Sequence, residues 1–595
     1  MGLIRPSRFS AGAWLACAFW FGSVPRTARA QDASQPAPVI LISIDTLRAD
    51  HLSAYGYRKI HTPNIDSFAQ QGTLFTDVAC QVPLTLPSHT SLLTSTYPFQ
   101  NGIEENAEPV PSGAATLAGV LRSHGYKTGA FIGSVFLERE FGLDQGFDLY
   151  DSPFNFQAGS RISGSMIFAG GSQNPYSVRE RRDGALVVRA ALQWLAANHG
   201  QPVFAFLHLF DVHEPYSVPT DFARERGISR YDAQVEYADQ VLGRFRQRLM
   251  QSGWWDRSLV ILLSDHGESL GEHGESSHGY FIYQSTLWVP LMVHWPAGAP
   301  HYPERTNLPA GLIDVAPTIL DFLHIPMPSS FEGQSLLGGV QSGASGDAHT
   351  VYSESVYTRD AFGWAPLRGV RAGKYKYIAA PKPELYNLQQ DPGEQVNLAG
   401  KHLEEESALR GRLDKLLARY PAKQTMARQD ASPETRAILQ SLGYLSGGPK
   451  PPPGSAAPDP KDRLPEYHLY ERALTSLSDR HMEEAIATFR QILAHNPHNM
   501  LARRDLGDCY LEVKDYASAR STLRAVVAEA PDDYMAQLEL GMADEHLGLI
   551  EEAREHVQAA CKMFPGSAQC QHELDAIQRK VKEPAPTATA PRTSR

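Results

Sequence analysis

Three runs of the chain are apolar almost without interruption: VILISI at 39–44, VFAFLHLF at 203–210 and SLVILLS at 258–264. Successive strand residues face opposite sides. A run without polar alternation therefore has both faces covered, as in the inner strands of a parallel sheet. Between these runs lie segments with apolar residues at helical spacing, such as GALVVRAALQWLAANH at 184–199. The alternation runs from Val39 to about Tyr444 and predicts a doubly wound α/β domain, placed at 36–445.

The pattern changes near 447. GGPKPPPGSAAPDPKD is rich in proline and glycine and reads as an extended linker, placed at 446–463. Beyond it the chain repeats every 34 residues: Pro497, Pro531 and Pro565; Ala485, Ala519 and Ala553; Phe489, Leu523 and Val557; Ala473, Gly507 and Gly541. Small residues at packing points and a closing proline at this period are the tetratricopeptide signature. The repeats are placed at 466–499, 500–533 and 534–567, with a capping helix completing an all-α domain at 464–581. Each repeat is imperfect: tryptophan is missing from its usual place, and the third lacks the expected tyrosine. The tail, 582–595, is polar and proline-rich and reads as disordered.

Composition adds limits. The net charge is −11, which disfavours a nucleic-acid partner. A bound cation can still reverse the field locally, so an anionic substrate stays open. The first 30 residues carry Arg5 and Arg8, an apolar run from Ala11 to Val24 too short to span a membrane, and Ala28-Arg29-Ala30. This reads as a secretory signal peptide cleaved after Ala30, with a periplasmic or extracellular product and no integral membrane segment. Four cysteines then remain. They make no disulfide scaffold, although export would allow Cys561 to pair with Cys570; Cys80 reads as a buried apolar residue.

Ligands in doubly wound sheets bind beyond the carboxyl ends of the strands. Asp45, Asp211 and Asp265 follow the three apolar runs, and His266 follows Asp265. Carboxylates and an imidazole aimed at one crevice suit a divalent cation. In QVPLTLPSHTSLLTSTYP (81–98), Pro87 suits a first helical turn, which puts Thr85 at a helix N-terminus where an anion is favoured. A hydroxyl, a cation and an anion site together suit attack on a phosphate or sulfate ester. Ser88 is the rival nucleophile, ranked lower because it falls inside the first turn. There is no phosphate-binding G-x-x-x-x-G-K-[ST] loop and no G-x-S-x-G elbow.

ISIDTLRADHLSAYGY (42–57), HTPNIDSFAQQGTLFTD (61–77), PLTLPSHTSLLT (83–94), LFDVHEPY (209–216), LSDHGESLGEHGESSHGY (263–280) and ELYNLQQDPGEQVNL (384–398) together resemble the sulfatase branch of the alkaline phosphatase superfamily. The resemblance implies an alkaline-phosphatase-like sheet domain and a metal-dependent ester hydrolase. Two departures matter. Where sulfatases carry C-x-P-x-R or S-x-P-x-R, this chain has Thr85-Leu86-Pro87-Ser88-His89, and threonine is not a formylglycine precursor. Where they carry paired aspartates, Asp45 is followed by Thr46. The usual lysine after the G-Y-x-T segment is also replaced, by Ser134. These changes resemble the phosphodiesterase and the phosphoglycerol- or phosphoethanolamine-transferase relatives.

The resemblance thus implies that Asp45, Thr85, Asp265 and His266 hold one divalent cation (Zn, Mn, Mg or Ca), with Thr85 as nucleophile. His213 and His278 are candidates to protonate the leaving group or hold the anion. Asp211, His213 and His278 are the alternative ligands of a second metal, with one metal ranked ahead of two. His208 reads as core, His273 as a solvated loop residue, Arg48 as a brace for Asp45 or a nearby loop, and Lys374 and Lys376 as exposed. Substrate specificity falls to loops such as 151–183. The expected partners are a small-molecule, lipid or glycan ester and a protein bound by the repeats. The rivals are a true sulfatase, a transferase, and a repeat-based binding protein with an inactive catalytic domain.

Overall fold

A computed structural model describes residues 36–106, 109–154, 181–218, 220–343, 349–420, 457–563 and 568–582. The leader, most of the proline-rich linker, most of the 151–183 loop, Pro565 and nearly all of the tail lie outside them. Among the described residues, no helix is long and apolar enough to cross a membrane.

The main sheet has eight strands in the order Leu149–Asp151, Lys127–Phe131, Val203–Leu209, Val39–Ile44, Leu259–Leu263, Leu291–His294, Thr73–Phe75 and Arg305–Thr306. The first five run parallel. Leu291–His294 is antiparallel to its neighbours on both sides, and Arg305–Thr306 pairs parallel to Thr73–Phe75. The three apolar runs are the three central strands. Val39 and Leu41 pack into the core on one face of the sheet, and Ile40, Ile42 and Ile44 into the core on the other. That double burial is why the runs show no polar alternation.

A second sheet follows, four antiparallel strands from Val351–Ser355 to Glu384–Asn387, covered by the helix Leu403–Ala418. Here the alternation of Lys374 and Lys376 misleads. Lys374 is exposed, but Lys376 is buried, its Nζ 2.6 Å from Glu394 Oε1 and 2.5 Å from the Ile282 carbonyl. The partner carboxylate makes that burial tolerable, and it lies 18 residues away in sequence.

The repeats form helix pairs Leu464–Ser478 with Met482–His495, Met500–Glu512 with Tyr516–Glu529, and Tyr534–His546 with Ile550–Met563, followed by Ala568–Lys582. The small residues of the period sit where the two helices of a pair cross. A Cβ on Gly507 would lie 2.5 Å from Leu523 Cδ2, and one on Gly541 2.5 Å from Val557 Cγ2. Cys561 and Cys570 form a disulfide, while Cys80 and Cys509 are free and buried.

Candidate active site

The carboxyl ends of two adjacent central strands, Val39–Ile44 and Leu259–Leu263, bring Asp45, Asp265 and His266 together, all fully buried. One ligand atom from each lies within 4.8 Å of the others. His266 Nδ1–H donates to the Gly267 carbonyl at 2.9 Å, which leaves Nε2 as a lone pair. That lone pair lies 3.7 Å from Asp45 Oδ1 and 3.5 Å from Asp265 Oδ2. Among the described residues, none of these three atoms has a hydrogen-bond partner.

Three acceptors facing one another without a donor need a positive charge between them. Burial pushes the Asp45 carboxyl up to about 7. Burial, and then Asp45 itself, pushes Asp265 up to about 7. Burial, with His278 adding to it, pushes His266 down to about 3, so its imidazole is neutral. The donor set of two carboxylate oxygens and a neutral imidazole nitrogen fits a divalent cation.

Thr85 opens the helix Thr85–Thr94 and is 1% exposed. Its Oγ1 donates to Asp45 Oδ2 at 3.4 Å. The neighbouring amide, Leu86 N–H, donates to Asn106 Oδ1 at 2.9 Å. Ser88 points elsewhere: its hydroxyl donates to the Asp265 carbonyl at 2.7 Å and braces the strand end.

His89, standing where the resembled family has arginine, does not reach a crevice. Its Nδ1–H donates to the Thr85 carbonyl at 2.7 Å, and its Nε2 accepts from Ser43 Oγ at 2.9 Å. Burial holds it near 4, in the neutral form those two bonds require. Thr46, standing where a second aspartate would be, takes a left-handed backbone (φ 55°). Its amide donates to Asp265 Oδ1 at 3.3 Å, and Tyr231 OH donates to its carbonyl at 2.7 Å.

His208 is core, as its place in a strand suggests, but it is not only core. Its Nε2–H donates to Asp45 Oδ2 at 3.1 Å, opposite Thr85. The sheet register pairs Ser43 with His208, and that pairing sets the histidine two residues behind Asp45, on the same face of the sheet. With His89 and Asp265 it forms a second group of closely spaced donors.

His278 Nδ1–H donates to Glu268 Oε1 at 2.9 Å, and His213 Nδ1–H donates to the Glu214 carbonyl. The His278 ring centroid lies 4.5 Å from that of His266 and 5.2 Å from that of His213. Burial drives His278 down to about 4, and His213 well below its usual range. Both are therefore neutral at pH 7, with the acceptor on Nε2. In that state they hold a cation or take up a proton more readily than they give one away.

Asp211 stands apart from this pair. Its Oδ1 accepts from Gly184 N–H at 3.1 Å at the start of the Gly184–Ala197 helix. A Cβ on Gly184 would lie 2.1 Å from Asp211 Oδ2. The helix start occupies one oxygen and leaves Oδ2 buried without a partner, and among the described residues Asp211, His213 and His278 are not one of the groups whose ligand atoms lie within 4.8 Å of one another.

Two contributors escaped sequence reading, Glu268 and Asn106. Glu268 is buried within LSDHGES and had a readable signal, an acid three residues after Asp265. Asn106 had none. Arg48 bridges two loops: its Nη1 donates to the Glu268 carbonyl at 3.0 Å and to Glu272 Oε1 at 2.8 Å. His273 is stacked on Tyr283 at 3.7 Å rather than free in solvent.

Residues 38–325 match the family model described as Sulfatase. Residues 271–422 match that of the C-terminal part of N-sulphoglucosamine sulphohydrolase, and 476–540 that of the tetratricopeptide repeat. An ulvan-active sulfatase of Formosa agariphila is 23% identical over 409 residues, covering 63% of this chain and 80% of its own length. The multifunctional alkaline phosphatase superfamily protein PehA of Trinickia caryophylli is 25% identical over 475 residues, covering 61% and 91%. Among solved structures, a phosphonate monoester hydrolase from Silicibacter pomeroyi aligns with a TM-score of 0.51 at 19% identity, covering 66% of this chain and all of the other. At that identity the likeness concerns the fold.

Proposed function

This chain belongs to the sulfatase family of hydrolases, and from that premise we propose that it cleaves phosphate mono- or diesters with Thr85 as nucleophile and one divalent cation held by Asp45, Thr85, Asp265 and His266. The carrying observation is the set of partnerless acceptors Asp45 Oδ1, Asp265 Oδ2 and His266 Nε2, with the Thr85 hydroxyl on the other oxygen of Asp45. A cation among them supplies charge neutralisation and a lowered pKa for the hydroxyl.

The residues of the chain do the rest. Asp45 Oδ2 orients the Thr85 hydroxyl and accepts its hydrogen bond, and His208 holds that oxygen from the opposite side. Thr85 Oγ forms the new bond to phosphorus as its proton passes to Asp45 Oδ2, and the ester oxygen departs and takes a proton from solvent. Water then attacks the phosphothreonine, and the hydroxyl is restored. His213 and His278 serve as Nε2 acceptors near the substrate; each delivers a proton only after first taking one up. The proposal places the mature protein outside the cytoplasm, acting on a small-molecule, lipid or glycan ester, with catalytic and repeat domains at 36–445 and 464–581.

A second reading, sulfate ester hydrolysis, is favoured by the names of the curated relatives. Metal-loaded protein, 31–595, and its Thr85→Ala variant should be assayed on nitrophenyl sulfate, phosphate monoester and phosphate diester. Turnover of a phosphate ester that Thr85→Ala abolishes supports the proposal. Turnover of the sulfate alone replaces it with the second reading. Inertness towards all three, with no metal bound, moves the working part to the repeats.

A further inference from the structure

The segment 265–280 begins with two proposed ligands and ends just beyond His278. It folds back on itself, with Ser269 N–H donating to the Ser277 carbonyl at 2.8 Å and Gly271 N–H to the Glu275 carbonyl at 3.0 Å. Its far arm does not rest on the α/β domain alone. The first repeat helix, Leu464–Ser478, presents Tyr467, His468 and Glu471 to it. Tyr467 OH accepts from Ser276 N–H at 3.2 Å and donates to Glu471 Oε1 at 2.5 Å; Ser276 Oγ also donates to Glu471. His468 Nε2–H donates to the Gly274 carbonyl at 2.7 Å.

The contact is apolar as well. The Tyr467 ring meets Tyr280 edge-on at 4.4 Å, and Tyr470 meets Phe362 at 5.6 Å. Tyr467 and Tyr470 are buried in a hydrophobic core that runs unbroken from the central sheet through the first two repeats to the first helix of the third. On the opposite side, Gly279 abuts Leu84, the residue before Thr85: a Cβ there would lie 3.2 Å from Leu84 Cδ2.

We propose that Tyr467 is a positioning residue of the active site, and that one face of the repeat array is built to hold the His278 segment rather than to receive a separate protein. This rests on the hydrolase reading above. The helix fixes Ser276 and Tyr280, which flank His278 by two residues on each side. Glu268 fixes the imidazole itself. A segment carrying three positive-φ residues at its turn (Gly271, His273 and Gly274) and a fourth at Gly279 has little local preference for one shape. An outside prop therefore decides how far His278 is preorganised, and small displacements of such a group are felt in turnover more than in binding. Asp45 and Thr85 sit on other elements, and the two ligands that open the segment have supports of their own, Asp265 from Thr46 N–H and Ser88 Oγ and His266 from the Gly267 carbonyl, so the cation set does not depend on the prop.

The test uses the full mature chain. Tyr467→Phe keeps the ring against Tyr280 and removes the hydroxyl; Glu471→Gln keeps an oxygen for that hydroxyl. The expected result is a roughly tenfold lower kcat for Tyr467→Phe, with KM, bound manganese and Tm close to wild type, and near-normal kcat for Glu471→Gln. Hydrogen exchange reads the same contact without substrate: the Ser276 amide should exchange faster in Tyr467→Phe. An unchanged kcat and unchanged exchange overturn the proposal, as does a loss of kcat that only tracks lost metal or lost Tm. If the wild type hydrolyses none of the esters, the hydrolase reading fails, and with it the positioning role; exchange still decides whether the repeats hold the segment.

Discussion

Thr85 Oγ1 and His208 Nε2 both donate to one atom, Asp45 Oδ2, at 3.4 Å and 3.1 Å. That leaves Asp45 Oδ1 facing His266 with no donor. One carboxylate thus divides its work, with one oxygen aligning the hydroxyl and the other turned to the cation set. Thr85→Ala removes the hydroxyl and leaves the facing acceptors in place. Turnover should fall by roughly a thousandfold or more, while one divalent ion still binds more weakly. Metal analysis beside a phosphate-ester assay checks this; a variant retaining a tenth of wild-type turnover would rule out Thr85 as nucleophile.

Cation affinity should depend steeply on pH. Asp45 and Asp265 both carry protons below about pH 7 because burial raises them. An incoming cation must displace those protons, so affinity rises with pH up to about 7 and levels off above it. Below pH 6 the loss should be about ten- to a hundredfold per pH unit. His266, held near 3, is already neutral there and adds nothing to the slope. Calorimetry in buffers of different ionisation heat should show proton release at pH 6 and little at pH 8. An affinity flat from pH 5 to 8 would contradict the ligand set.

His89→Arg should not create a better anion site. The imidazole is fully buried between Ser43 Oγ and the Thr85 carbonyl, with Phe206 and His208 against its ring. A guanidinium there has too much volume and no carboxylate of its own, since Asp265 belongs to the cation set. Overpacking plus a poorly paired charge should cost about 3 kcal/mol or more. Thermal denaturation reads this directly. A stable His89→Arg variant with enhanced sulfatase activity would show the opposite.

Gly507→Val should damage the repeats. Even a Cβ would lie 2.5 Å from Leu523 Cδ2 and 2.7 Å from its Cγ, and valine adds two methyls. Opening that helix pair should cost about 1–3 kcal/mol or more. Far-ultraviolet circular dichroism during melting should show an earlier loss of helix. An unchanged melt would mean that the pair separates freely.

Reading the sequence worked where one local rule controlled the outcome. VILISI and its two partners show double burial directly, and two of the acids that follow them, Asp45 and Asp265, lie close together. The 34-residue period works because each small residue answers to one crossing helix, as Gly507 answers to Leu523. Reading stopped where a property depended on a distant partner. His208 looks like any strand residue until the register sets it beside Ser43, and Lys376 looks exposed until Glu394 is found beside it. Asp211 shows the converse: it follows an apolar run as Asp45 does, but the register sets it one residue further past its strand, where Gly184 N–H at a helix start holds one of its oxygens.

The contact between Ser276 and Tyr467 also orders events during folding. The two residues are 191 positions apart. The catalytic segment therefore gains this support only once the first repeat helix, Leu464–Ser478, has folded against it. Until then Tyr280 and Phe362 have no cover from the repeats, and a chain cut short in the linker would carry that bare aromatic patch permanently. The first repeat helix thus closes the aromatic side of the catalytic domain as well as propping the His278 segment.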